Sequence, residues 1–274
     1  MKVYNQAPLP FMGQKRKFLK QFKEQLRSYP SRATYIDLFG GSGLLSRAVK
    51  DTHPDATVIY NDYDNYHQRL AAIPQTNKLL ADIRRMTREC EKDKSIPGPI
   101  KERILARIKK EVGFVDYITL SSSLLFSMKY VTSYEGLTKE TFYNVVKQHD
   151  YDATGYLDGL EIVREDYKVL FSRYKYEPGV VVLIDPPYLS TEAGTYTGYW
   201  KLRDYLDVLD TLESPCWFYF TSNKSNILEL CQWVSDKTGG RNPFSGAEMA
   251  TTSVTLNYTA SYTDMMLYKY VKKK

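Results

Sequence analysis

The sequence predicts an α/β fold in which a Rossmann-like, mostly parallel sheet is interrupted by a mostly helical insertion. Residues 35–39 are typical of a strand, and a Gly-Gly-Ser-Gly turn at 40–43, a helix and a second strand at 56–60 follow. This order is the opening half of a nucleotide-binding βαβ unit. The aliphatic run 180–184 is typical of a strand buried on both faces of a parallel sheet. Between residues 71 and 150 the alternation of strands and helices stops, which indicates the insertion.

The remaining segments complete this division into a core and an insertion. We expect a catalytic domain formed by residues 1–70 and 151–274, with the insertion at 71–150. Periodicity predicts further helices over 17–29, 44–50, 100–112, 114–130, 202–212 and 227–234. Strands are predicted over 160–163 and 216–221, with a closing strand pair from Thr251 onward that is connected through 257–263.

Composition excludes several classes of protein. Hydrophobic residues make up 43% of the 274 residues and charged residues 26%, as in ordinary globular proteins. No apolar run reaches the roughly 20 residues that span a bilayer, and no apolar signal core begins the chain. Three separated cysteines form neither a metal-binding spacing nor a disulfide framework. We therefore expect a cytoplasmic protein without a metal or a membrane partner.

Positive charge is concentrated in the insertion. The net charge is +6, and residues 71–149 contain 14 Lys and Arg against 9 Asp and Glu, an excess of 5. Such a segment suits a polyanionic partner. A solvated helix face explains it equally well at this stage.

The glycine turn and the acid after the next strand indicate a nucleoside cofactor. Glycines let the backbone approach a ligand, and the following helix start offers free amides. Asp62, at the end of the second strand, is placed to accept hydrogen bonds from ribose hydroxyls. It could instead cap the helix that follows. Both features suit NAD as well, so they do not fix the reaction.

The Asp-Pro-Pro-Tyr corner at 185–188 distinguishes among reactions. The amine on a nucleobase is a poor nucleophile because its lone pair is delocalised into the ring. The Asp185 carboxylate and the Pro186 carbonyl can accept its two hydrogens and favour a tetrahedral nitrogen. Pro187 holds the turn, and Tyr188 can stack on a base that has left the duplex. The corner therefore predicts methyl transfer from a sulfonium to this nitrogen, with positioning supplying much of the rate.

In motif order, the chain resembles the Dam-type DNA adenine-N6 methyltransferases, from about Pro8 to Tyr270. In that family the glycine motif comes first, then a recognition insertion, then Asp-Pro-Pro-Tyr. The resemblance implies an S-adenosylmethionine-dependent methyltransferase fold, with S-adenosyl-L-methionine as cofactor and duplex DNA as partner. Gln14 departs from the usual Gly-Gly-Lys ending of the N-terminal motif. The cofactor-binding residues that the resemblance implies are Met12, Gly13, Lys15, Asp37, Leu38, Phe39, Gly40, Gly41, Ser42, Gly43, Asp62, Asp166, Tyr167 and Asp185.

The insertion resembles the family less closely, because the Phe-Asn and Gly-Phe-Asn elements that touch DNA are absent. The aromatic loop 191–200 is a candidate to close over the flipped base, or is an ordinary loop. The resemblance implies a monomer or weak dimer, while neither the recognition sequence nor membership of a restriction–modification system is readable. Candidate DNA contacts, each equally explained by solvation or packing, are Lys129, Tyr130, Tyr134, Lys139 and Tyr196.

Other functions of the same chain have distinct signatures. The corner could act on an RNA base or a protein glutamine, and the basic insertion favours nucleic acid without choosing DNA over RNA. A silent DNA-binding relative would bind DNA with strong salt dependence and transfer no methyl group. An NAD-dependent dehydrogenase has no evident use for the Asp-Pro-Pro-Tyr corner.

Overall fold

A computed structural model describes residues 2–126, 129–188, 200–257 and 260–271. In these ranges a seven-stranded sheet has the order β3-β2-β1-β4-β5-β7-β6. Strands β1 to β5 are parallel, and β7 pairs antiparallel with both β5 and β6. The strands are β1 (Thr34–Asp37), β2 (Thr57–Asn61), β3 (Glu161–Val163), β4 (Val180–Ile184), β5 (Cys216–Ser222), β6 (Glu248–Asn257) and β7 (Ala260–Tyr270).

The helices divide between the sheet and the insertion. In the described ranges, α3 to α7 lie between β2 and β3, and the others flank the sheet strands in sequence. No helix there has both the length and the apolar character needed to cross a bilayer. The helices are α1 (Leu19–Leu26), α2 (Leu44–Thr52), α3 (Tyr66–Ala71), α4 (Ile73–Met86), α5 (Gly98–Lys109), α6 (Tyr117–Ser122), α7 (Tyr134–Thr138), α8 (Tyr167–Tyr174), α9 (Leu202–Val208) and α10 (Ile227–Thr238), with a 3-10 turn at Leu209–Glu213.

Strand β4 lies in the middle of the sheet and is buried on both faces, as its aliphatic run predicts. Val181 and Leu183 pack into a core with α1 and α2. Val180, Val182 and Ile184 point the other way and pack with α8 and α10. Because side chains alternate along a strand, an unbroken aliphatic run can serve two cores at once. The fold is therefore the Rossmann-like α/β fold that the sequence predicts.

A third core lies in the insertion. Helices α4, α5 and α6 contribute its apolar residues, and the N-terminal segment and α3 join it through Tyr4, Leu9 and Tyr66. The cluster continues as far as Tyr156, beyond the predicted boundary at 150. The N-terminal segment thus packs against the insertion before it reaches the sheet.

The helix predicted over 114–130 is wrong in extent, since α6 covers only Tyr117–Ser122. Asp116 accepts a hydrogen bond from the amide of Thr119 and so begins the helix late. The hydroxyls of Ser121 and Ser122 donate to carbonyls within the same turn, where serines compete with helix propagation. The amide of Tyr143 then bonds the carbonyl of Leu124, and the chain has left the helix.

Two other predicted boundaries shift. The helix predicted over 202–212 is α9 followed by the 3-10 turn. The connection predicted over 257–263 is too long, because residues 260–263 already belong to β7. Antiparallel partners on both sides extend β7, and periodicity alone did not reveal that pairing.

Candidate active site

One cavity of about 590 Å³ opens at the carboxyl edge of the parallel strands, within the size range of ligand pockets. The N-terminal loop 11–15 and the glycine turn form part of its lining, and the Asp-Pro-Pro-Tyr corner forms another part. Fourteen of the predicted catalytic and cofactor-binding residues line it: Met12, Gly13, Lys15, Leu38, Phe39, Gly40, Gly41, Ser42, Asp166, Tyr167, Asp185, Pro186, Pro187 and Tyr188.

The glycine turn needs glycine because it packs directly on an aromatic ring. A Cβ on Gly40 would lie 2.3 Å from the ring of Tyr60, which no real contact allows. Gly41 and Gly43 have φ values of +49° and +72°, in the region that favours glycine. The Tyr60 hydroxyl, from the neighbouring strand β2, donates to the Gly41 carbonyl at 2.7 Å and holds the turn in place. The turn is therefore held close to the cavity with its backbone exposed to a ligand.

Asp62 lies outside the cavity lining, and the ribose role that the sequence assigns to it stays a prediction. Its carboxylate is fully buried and accepts hydrogen bonds from the amides of Tyr66 (2.6 Å) and His67 (2.9 Å). The hydroxyl of Tyr60 lies 3.0 Å from Oδ1 and shares its one hydrogen between this oxygen and the carbonyl of Gly41. Asp62 therefore satisfies the open N-terminus of α3, the alternative that the sequence left open. Asp64, two residues later, lines the cavity in its place.

Asp37 and Gly43 also lie behind the cavity wall. The Asp37 side chain is 1% exposed and accepts a hydrogen bond from the hydroxyl of Ser46 at 2.7 Å. Burial raises its pKa to about 7, the Ser46 hydrogen bond opposes that rise, and nearby Asp185 adds to it. Asp37 thus anchors α2 beneath the glycine turn, and the contact with the cofactor that the resemblance implies for it stays a prediction.

The Asp185 carboxylate is the most polar feature of the corner. Lys15, which is only 8% exposed, forms an ion pair with it at 2.7 Å and donates to the carbonyl of Gly13 at the same distance. Burial raises the pKa of Asp185 to about 6, and Lys15 keeps that pKa from rising further. The other carboxylate oxygen, Oδ1, accepts no hydrogen bond from the residues that the structure describes. A buried acceptor is thus available for a donor from a ligand.

Lys15 joins the corner to the N-terminal loop. Its ammonium lies 5.2 Å from the centre of the Tyr188 ring, within the range of a cation–π contact. Pro186 and Pro187 complete the wall where β4 ends. The departure of Gln14 from the family pattern leaves Lys15 in the cavity, because the Gln14 side chain turns back to accept a hydrogen bond from Ala7.

The opposite end of the cavity is aromatic. The Tyr167 ring centre lies 4.8 Å from that of Phe39 and 6.1 Å from that of Trp200, whose ring is nearly parallel to it at 18°. Asp166 begins α8 by accepting a hydrogen bond from the amide of Lys168 at 2.8 Å. This end can accept a flat ring with polar groups at its rim.

Several cavity residues were missed by sequence reasoning. Asn61 joins neighbouring strands, since its amide donates to the carbonyls of Leu38 and Glu165. Its position beside Asp62, at the end of a strand, was the available signal. Tyr63 and Asp64 follow directly, so the same strand end was their signal. Nothing in the local sequence marked Lys224 and Tyr262, which reach the cavity from distant elements.

The candidate DNA contacts have mixed environments. Lys129 pairs with Glu140 at 2.6 Å, and the Tyr134 hydroxyl donates to the carbonyl of Leu105 at 3.4 Å. Tyr130 is half-buried and Lys139 is exposed. Tyr196 and residues 189–199 lie outside the described residues. These contacts stay predictions.

The residues present fit S-adenosyl-L-methionine. The cavity has the size of a nucleoside-ligand site, a turn of exposed backbone and an aromatic end, and an available carboxylate oxygen lies at the corner. No cluster of three metal-binding side chains occurs among residues that the structure describes. Together, the Rossmann-like sheet and this cavity are those expected of a methyltransferase.

Comparison with known proteins identifies the family to which the chain belongs. The sequence profile of the D12 class of N6 adenine-specific DNA methyltransferases matches residues 11–210. The chain therefore belongs to this family. A Haemophilus influenzae protein is 37% identical over 282 residues, which cover 98% of this chain and 94% of that protein. Its name is provisional, a methyltransferase without a stated substrate. A crystal structure of a SAM-dependent methyltransferase from Agrobacterium tumefaciens aligns at 9% identity with a TM-score of 0.41, covering 98% of this chain and 71% of that one.

Proposed function

We propose that the protein transfers a methyl group from S-adenosyl-L-methionine to the N6 amine of an adenine that has left duplex DNA. The observation that carries the proposal is the corner: a buried carboxylate with an available oxygen, followed by a proline carbonyl and an aromatic ring in the same cavity. Membership of an adenine-specific DNA methyltransferase family supports the substrate. When bound, the cofactor supplies an electrophilic methyl group on a sulfonium.

The corner activates the adenine amine through its two hydrogens. One is accepted by Oδ1 of Asp185 and the other by the carbonyl of Pro186, so the nitrogen lone pair is released from the ring. Lys15 holds the second oxygen of Asp185 and keeps the carboxylate ionised near neutral pH. As the carbon–nitrogen bond forms and the carbon–sulfur bond breaks, one proton leaves the nitrogen. Asp185 is the acceptor within reach.

The two aromatic regions of the cavity have separate roles in this proposal. Tyr188 stacks on the flipped adenine, which lowers the cost of taking the base out of the duplex. Phe39 and Tyr167 would hold the adenine of the cofactor, with Asp166 near its amino group. Asp64, which lines the cavity, would hold the ribose hydroxyls. Placing donor and acceptor in one cavity supplies much of the rate.

Methylation of bulk unmethylated DNA, followed by digestion and base analysis, tests the proposal. We expect N6-methyladenine, and mapping its positions would give the recognition sequence. Asp185→Ala should abolish the product and leave cofactor binding largely intact, whereas the exposed Asp236→Asn should behave as wild type. Full activity of Asp185→Ala would overturn the mechanism. Parallel assays with RNA and protein identify either rival substrate, and DNA binding without any methyl transfer identifies a silent relative.

A further inference from the structure

A buried arginine lies between the cavity and the insertion and takes no part in the proposed reaction. Arg69, in α3, is 6% exposed and its Nε donates to Oδ1 of Asp116 at 3.1 Å. Asp116 is 2% exposed. A buried charge pair is costly to desolvate, and removing one partner leaves the other uncompensated. The contacts of Arg69 join two parts of the protein, the N-terminal loop that lines the cavity and the start of α6.

On one side, α3 holds the N-terminal loop that lines the cavity. Arg69 Nη2 donates to the carbonyl of Pro10 at 2.9 Å. The Tyr66 hydroxyl bonds both the amide (3.0 Å) and the carbonyl (3.2 Å) of Leu9. The next five residues, 11–15, all line the cavity and include Lys15 at the catalytic corner. The position of this loop is thus set from behind by two side chains of one short helix.

On the other side, the same guanidinium holds the start of α6. Arg69 Nη2 also donates to the hydroxyl of Thr119 at 3.2 Å. Asp116 in turn accepts from the amide (3.0 Å) and the hydroxyl (2.6 Å) of Thr119. Farther along α6, the Ser121 hydroxyl accepts from the amide of Val131 at 3.3 Å, beside the predicted DNA contacts 129 and 130. The guanidinium therefore contacts both the cofactor loop and the helix that supports this part of the insertion.

We propose that Arg69 is a positioning residue that couples the cofactor loop to the insertion through its ion pair with Asp116. Ordering of the loop by S-adenosyl-L-methionine orders α6, and DNA held by the insertion orders the loop in return. The two ligands must then change each other's affinity by the same factor. The coupling rests on the proposed function, because the loop's ligand is taken to be the methyl donor and the insertion's ligand DNA.

Hydrogen exchange of the α6 amides, with and without S-adenosylhomocysteine, tests the coupling in the full chain. In the wild type we expect this probe to slow exchange in loop 9–15, in the glycine turn and in α6. The double variant Arg69→Met/Asp116→Asn removes both charges, so neither remains buried alone, and asparagine still caps α6. We expect it to bind the probe about tenfold more weakly, with protection confined to the glycine turn. The matched control is Arg84→Met/Asp150→Asn, a more exposed pair in the same insertion, which should match the wild type.

The outcomes separate this inference from the proposed function. Unchanged α6 exchange in the wild type, or full α6 protection in the double variant, overturns the coupling. If the double variant does not fold, Arg69→Lys is measured instead, because it keeps a positive charge opposite Asp116 but lacks the planar fork that reaches Pro10 and Thr119 together. In a second arm, the probe should tighten binding of unmethylated duplex DNA in the wild type and not in the double variant. Absence of methyl transfer to DNA would count against the proposed function and leave the exchange result standing.

Discussion

Replacing Lys15 with methionine should move the pH dependence of methyl transfer, because Lys15 is the charge that keeps Asp185 ionised. The ammonium lies 2.7 Å from the carboxylate, and burial already raises the pKa of Asp185 to about 6. An opposite charge at this range shifts a pKa by about 1–3 units, so its loss should bring the pKa of Asp185 to about 8. The reaction uses the ionised carboxylate. Activity is therefore present above this pKa and lost as the pH falls through it.

The size of the effect follows from the ionised fraction. At pH 7.5 a carboxyl with a pKa of about 6 is about 97% ionised, and one with a pKa of about 8 about 24% ionised, a loss of roughly fourfold. At pH 6.5 the corresponding fractions are about 76% and about 3%, a loss of roughly 25-fold. The loss must therefore grow as the pH falls, which a general loss of structure would not produce.

The assay is kcat/KM for transfer of labelled methyl to unmethylated DNA between pH 5.5 and 9. Lys15→Arg retains the charge and should keep the acid limb near that of the wild type. Lys17→Met removes an exposed lysine of the same segment and serves as the matched control. A Lys15→Met enzyme that is weaker at every pH by one constant factor would refute the reasoning.

Three further predictions follow from the site. Gly40→Ala should lower the free energy of unfolding by about 1–3 kcal/mol in denaturant and impair binding of the methyl donor, because its Cβ meets the Tyr60 ring. The control Gly98→Ala, where no atom lies within 4 Å of the added Cβ, should be neutral or stabilising by up to about 1 kcal/mol. Asp62→Ala should lower the free energy of unfolding by about 1–3 kcal/mol with little change in the KM for the methyl donor. Asp64→Ala should raise the KM for the methyl donor about tenfold, as expected for a lost hydrogen bond to a ligand. The reverse pattern would assign the ribose contact to Asp62. Tyr188→Ala should lower kcat/KM for DNA by about 5–150-fold and Tyr188→Phe by far less, as stacking requires; equal losses would assign the role to the hydroxyl.

Asp62 illustrates how the surroundings of a predicted site residue depend on the fold. Its place after β2 was read from the sequence, yet two backbone amides of α3 and the Tyr60 hydroxyl occupy its carboxylate. A buried carboxylate is stabilised by such donors, and free amides at a helix start are among the strongest available. Which of two nearby acids faces the cavity depends on the path of α3, and that path is set by packing against the insertion core.

Features that depend on local chemistry and periodicity could be predicted from the amino-acid sequence. The double-faced burial of β4 follows from five consecutive aliphatic residues, and the strand end follows from Pro186 and Pro187. The glycine turn was equally readable, because glycine is the residue that readily adopts the positive φ angles found at Gly41 and Gly43. These properties belong to segments of a few residues, so they need no knowledge of distant partners.

Contacts between segments far apart in the chain became apparent in the folded protein. The Lys15–Asp185 pair and the Arg69–Asp116 pair join residues whose separation gives no local signal. The early end of α6 and the antiparallel pairing of β7 depend on neighbours in the same way. The reason is physical: a charge or an amide takes the partner that folding leaves within reach, and burial then sets how strongly the pair is held.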